Sequence, residues 1–115
     1  MSNPAQQAPR PRFYQQLARR CPEFMEAVER LGGAVRAAGP LDEATLQLVQ
    51  LGAAAAMRSE GAVHSHARRA LAAGASPDAV RHALIAVTST IGFPNVVAAL
   101  SWAEDQLQQA ADPRA

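Results

Sequence analysis

The stretch SEGAVHSHARRALAAGASPDAV, residues 59–80, carries the punctuation of two helices. Ser59 offers a side-chain oxygen where a helix leaves its first N–H groups unpaired, and Glu60 follows where the helix dipole favours negative charge. Gly74 ends the run as a C-terminal glycine does. Ser76 then caps a second helix, with Pro77 and Asp78 in its first turn. The stretch reads as helix, tight turn, helix, and it holds two of the three histidines of the chain.

The same signals extend in both directions. Asp42 is an N-cap, and Leu46, Val49, Leu51, Ala53, Ala56 and Met57 carry a long, strongly apolar helix to about Arg58. Before it, Phe24, Val28, Leu31 and Val35 form an amphipathic stripe that starts near Pro22 and ends at Gly39-Pro40, with Gly32-Gly33 weakening it. Phe13 and Leu17 mark a short helix from Arg12. Downstream, Val80, Leu84, Ile85, Val87 and Ile91 continue the second helix to a break at Gly92-Phe93-Pro94. A last helix from about Pro94 carries Val97, Leu100, Trp102 and Leu107. No stretch alternates as a strand does, so the class is all-α. Residues 1–11, with three prolines and no apolar periodicity, read as a mobile tail ahead of a single domain over 12–111.

Composition narrows the function. The 115 residues are one domain's worth of chain, 49% hydrophobic but only 4% aromatic, so the core must be built from small side chains. Helices with such a core pack closely, or across a subunit interface. All eleven basic residues are Arg, against ten acidic ones, and a net charge of +1 points to neither nucleic acid nor an anionic membrane. The first residues lack the apolar run of a secretory signal, and no segment approaches the roughly 20 apolar residues of a membrane span; a cytoplasmic location is expected. The single cysteine, Cys21, excludes an internal disulfide, a Cys-x-x-Cys centre and a multi-cysteine zinc site, and reads as an incidental thiol.

On a helix, Glu60, His64 and Arg68 fall along one face, whereas His66 points about 200° away from His64. The two histidines therefore cannot both ligate one metal from this helix. His66 shares its face with Val63 and Ala70, the face expected to enter the core. Spacing alone leaves open whether His66 is a hydrogen-bonded core residue or a general acid–base group, and whether His64 does more than pair with Glu60. Glu60 and His64 offer two ligands on one face, but a metal site would need a third from His82 or another subunit, so metal binding stays open. Arg68-Arg69 reads as a solvated or interface pair, and Thr88-Ser89-Thr90 as hydroxyls that bond back to the helix and bend it.

From Leu41 to Trp102 the chain resembles the carboxymuconolactone decarboxylase and alkylhydroperoxidase D-like family. The resemblance rests on the H-x3-A-L-x-x-G-A-S run, His66 through Ser76, and on the G-F-P break before an alanine-rich helix. It implies a bundle of about five to six helices, assembly into a trimer or hexamer, and pockets where subunits meet. The peroxidase branch carries a Cys-x-x-Cys ahead of the histidine matched by His66, where this chain has Ser59 and Ala62; its glutamate on the preceding helix appears as Gln47. With no thiolate pair, thiol peroxidase activity is not expected, even though the family label is antioxidant. The decarboxylase branch has a carboxylate close before the histidine, for which Glu60 is the nearest candidate, displaced by about two residues.

The resemblance, together with the helical geometry, implies acid–base chemistry on, or binding of, a small organic acid or lactone. The site would be an intersubunit pocket lined by His66, His64 and Glu60, of decarboxylase-like lyase type if catalytic, with no cofactor. The alternative is a homo-oligomer of the same family that binds or scaffolds without catalysis.

Overall fold

A computed structural model describes residues 12–111; the tail expected over residues 1–11 lies outside the described residues. Seven helical segments occur among them: α1 (Arg12–Arg20), α2 (Pro22–Ala37), α3 (Glu43–Ala56), α4 (Glu60–Ala72), α5 (Pro77–Ile85), α6 (Thr88–Ile91) and α7 (Phe93–Ala111). The fold is all-α. The segment expected as one helix from Ser76 to Ile91 is broken at Ala86-Val87, which divides α5 from the single turn α6. At that break the Thr88 hydroxyl donates to the Ile85 carbonyl at 2.6 Å, the back-bonding that hydroxyl residues use to bend helices.

Side chains define the helix starts. Asp42 Oδ1 accepts from the Thr45 amide at 2.8 Å, Ser59 Oγ from Ala62 at 3.3 Å and Ser76 Oγ from Ala79 at 3.0 Å. The hydrogen bonds from Thr45 hold the Asp42 carboxyl below its usual range. Among the described residues no helix is long and apolar enough to cross a membrane.

The core lies where α4 packs on α3 and α7, with α5 closing one side. It contains Leu51, Ala54 and Ala55 of α3, Val63, Ala67 and Ala70 of α4, Val80 and Leu84 of α5, and Ala99, Ala103 and Leu107 of α7. Alanines at the crossings let the backbones approach closely. Leu51, Leu84 and Leu107 are among the largest fully buried side chains, each worth roughly 1.5–3 kcal/mol of burial. The α2 stripe behaves differently: Phe24, Val28, Leu31 and Val35 are all exposed, and only Met25 of that helix is buried. The principal neighbour of α2 is α1, so the apolar face predicted from its sequence is left without a cover in the single chain.

Helices α3 and α4 end in the same hydrogen-bonded motif. After α3, Arg58 donates to the Ala55 carbonyl and Ser59 to Ala54, both at 3.1 Å; after α4, Gly74 donates to Leu71 at 3.0 Å and Ala75 to Ala70 at 2.9 Å. Both motifs need a left-handed residue, which is Gly74 (φ 105°) in one and Arg58 (φ 54°) in the other. A Cβ is disfavoured in that region. Replacing Arg58 by Gly is therefore expected to raise unfolding free energy by about 0.5–1 kcal/mol, and Gly74→Ala to lower it by ~1–2 kcal/mol, in urea titrations of the two variants.

Candidate functional site

The turn held by Arg58 brings the end of α3 against the start of α4, and a cleft opens between them. Gln50, Ala53 and Ala54 of α3 with Met57 just after it form one wall, and Ser59, Ala62 and His66 form the other, bordering a shallow, open cleft of about 360 Å³. Each set follows helical spacing, so each wall is a single helix face. The lining is mostly small and apolar, with Met57 at an exposed edge. Its volume is in the range of a small-molecule site, and its outer side is open in the single chain.

His66 is half-buried in the second wall. Its Nδ1 lies 2.8 Å from Oε1 of Gln47, a residue of α3 that is only 1% exposed. One turn earlier on α3, Glu43 Oε1 accepts from Gln47 Nε2 at 2.8 Å, and Glu43 Oε2 is 3.7 Å from Nε of Arg36 on α2. Three helices thus contribute to one line of polar contacts that ends on the imidazole. Because a carbonyl oxygen only accepts, Nδ1 carries the proton and the lone pair resides on Nε2. Burial, and after it the positive charge of Arg69, lower the pKa of His66 to about 4, so the ring is neutral at neutral pH. A neutral imidazole of fixed tautomer in the wall of an apolar cleft is a proton acceptor at Nε2.

The other two candidates lie elsewhere. His64 Nε2 is 3.2 Å from Asp105 Oδ2 on α7, so its partner is on another helix and not Glu60 one turn away. Glu60 is exposed in the first turn of α4. Neither lines the cleft, and within one chain the structure does not bring His66, His64 and Glu60 together. His82 and Cys21 are exposed. Arg68 and Arg69 are half-buried, and burial followed by the charge of Arg69 lowers the pKa of Arg68. Among the described residues no group of three His, Cys, Asp or Glu side chains is placed to hold a metal ion.

Two residues of the polar line went unread in the sequence as site members: Glu43, and Gln47 as the partner of His66. Their signal was present. Glu43 and Gln47 stand four apart on a largely apolar helix, the spacing at which a carboxylate and an amide can pair on one face.

The model of the carboxymuconolactone decarboxylase family matches residues 22–105, from the first residue of α2 into α7. The chain belongs to the carboxymuconolactone decarboxylase family. No curated protein and no solved structure matches it. Within the family segment, Ser59 and Ala62 stand beside His66 in the cleft, so the positions at which the resemblance places a cysteine pair face the same cavity as the histidine. Here those positions carry a helix-capping hydroxyl and a methyl group.

The lowered pKa has a thermodynamic consequence. An unfolded His66 takes up a proton near pH 6.5 and the folded one only near 4, so the unfolded state binds more protons between these values. The stability contributed by the neutral ring is complete above about pH 6.5 and is lost as the pH falls toward about 4. Chemical denaturation of the wild type and of His66→Gln across that window is expected to show a shallower decline in the variant; equal slopes would mean that the histidine titrates alike in both states.

Proposed function

We propose that the protein is an acid–base catalyst of the decarboxylase type that acts on a small organic acid or lactone in the α3–α4 cleft. The observation that carries this reading is the bond between His66 and Gln47, which leaves a neutral imidazole with its acceptor nitrogen in the cleft wall. The bond from the lactone framework to the carboxylate breaks, carbon dioxide leaves and the bonding electrons stay on the framework as an enolate. Nε2 takes a proton from solvent and passes it to that carbon, so the imidazole ends the cycle unchanged. Ser59 and Gln50 supply polar groups to orient a carboxylate or lactone carbonyl against the otherwise apolar lining. The family name points to a carboxymuconolactone as the first substrate to try. Thiol peroxidase chemistry is not proposed, because the cleft holds no cysteine and Cys21 lies outside it.

We further propose that the working form is a homo-oligomer, a trimer or hexamer, in which a second copy covers the cleft. Support comes from two uncovered apolar stripes. Val49, Ala53 and Met57 run along the exposed face of α3 into the cleft, and Phe24, Val28, Leu31 and Val35 run along α2. Apolar surface of this extent on neighbouring helices is what self-association removes from water.

The test is turnover of carboxymuconolactone and of simple γ-lactone acids, measured as carbon dioxide release. Wild-type activity is expected to be flat at neutral pH and to fall about tenfold per unit once the pH drops below about 4. His66→Ala is expected to lose about 10²–10⁴-fold in kcat with the oligomer intact. Ligand binding that survives in His66→Ala, with no turnover in the wild type, would leave the non-catalytic binding oligomer as the correct reading.

A further inference from the structure

We infer that Glu43, acting through Gln47, is a positioning residue that decides which nitrogen of His66 carries the proton. Its effect on turnover rests on the reading of His66 as the base. The hydrogen-bond geometry stands without that reading.

An amide side chain can face a histidine in two ways. With Oε1 toward the ring it receives the Nδ1 proton and leaves the Nε2 lone pair for the cleft. With Nε2 toward the ring it donates to an Nδ1 lone pair and moves the ring proton to Nε2, where it faces the cleft instead. The His66–Gln47 contact does not itself favour either arrangement.

Glu43 breaks the tie. It lies one turn before Gln47 on α3, and its Oε1 is 2.8 Å from Gln47 Nε2. A carboxylate only accepts, so it needs the NH2 of Gln47 on its side. A turned amide would set two oxygens against each other with no proton between them. Gln47 is 1% exposed, so water is not available to relieve that contact. The acceptor-only character of Glu43 therefore sends Gln47 Oε1 toward His66, and Oε1 in turn holds the proton on Nδ1 at 2.8 Å. Arg36 of α2, 3.7 Å from Glu43 Oε2, is ion-paired to the far oxygen of the carboxylate without a hydrogen bond and links the line to the helix whose apolar face is uncovered.

This directionality predicts a reversal from the exchange of one atom. In Glu43→Gln, the positive charge of Arg36 draws the remaining carbonyl oxygen to its side and repels an NH2 there, so the new NH2 points at Gln47. Gln47 then turns its oxygen toward residue 43 and its NH2 toward His66, and the ring proton moves to Nε2. In Glu43→Leu no group directs the amide, and both tautomers become populated.

The experiment is a long-range ¹H–¹⁵N spectrum of the full-length protein at neutral pH, with His66 located by comparison with His66→Gln. The expected result is Nδ1–H in the wild type, Nε2–H in Glu43→Gln and a mixture in Glu43→Leu. Nδ1–H retained alone in either folded variant overturns the inference, and so does Nε2–H in the wild type. The readout needs no substrate. A tautomer that reverses while the wild type turns over nothing would refute the catalytic reading and leave the positioning role in place, whereas an unmoved tautomer in an active enzyme would do the opposite.

Discussion

The hydrogen bond between His66 Nδ1 and Gln47 Oε1 is the contact on which the organisation of the cleft depends. It joins α3 to α4 at the edge of the core, just beyond the depth at which side chains vanish from the surface: Val63, Ala67 and Ala70 are fully buried around it, while His66 stays half-exposed. At that depth a histidine is dry enough to lose its charge and open enough to reach a ligand. A neutral amide partner reinforces this state. A carboxylate at position 47 would stabilise the imidazolium and push the ring the other way.

The small-residue core is what permits so short a link. Ala54 and Ala55 of α3 share one buried cluster with Ala67 and Ala70 of α4, and side chains of that size let the two helices approach until a glutamine and a histidine touch directly. Ala99 and Ala103 of α7, which packs on α4, belong to the same cluster. A composition poor in aromatics and rich in alanine is thus a packing requirement of the site. Larger core residues would separate the helices, widen the cleft and break the line from Glu43 to the ring. The Arg58 turn acts in the same direction, since it fixes where α4 starts relative to the end of α3.

Much of the fold was legible in the sequence because it is written in local chemistry. Asp42, Ser59 and Ser76 cap the helices their positions suggested, and Gly74 ends α4, because each of these residues satisfies backbone groups within a few positions of itself. The bend near Thr88 was legible in its hydroxyl, which bonds back to the Ile85 carbonyl, but the full interruption at Ala86-Val87 was not, since the apolar period runs through it without a glycine or proline to mark it. His66 was legible as a candidate from its place beside Val63 and Ala70. Its partner was not: contact with Gln47 spans two helices and depends on their separation and crossing, which periodicity does not encode. For the same reason Glu60 was an attractive neighbour for His64 on paper, one helical turn away, whereas the folded chain offers Asp105 on α7. The exposed stripe of α2 shows the same limit, for periodicity states that a face is apolar and not what covers it.

The central claim is that the fold holds His66 as a neutral acceptor, and the most direct test is an NMR titration of that ring in the assembled wild-type protein from about pH 7 downward. A midpoint near 4, with Nδ1 protonated throughout the neutral plateau, is the expected result. A midpoint at or above the ordinary histidine value of 6.5 would contradict it, because the ring would then be charged over the range in which it is required to accept a proton.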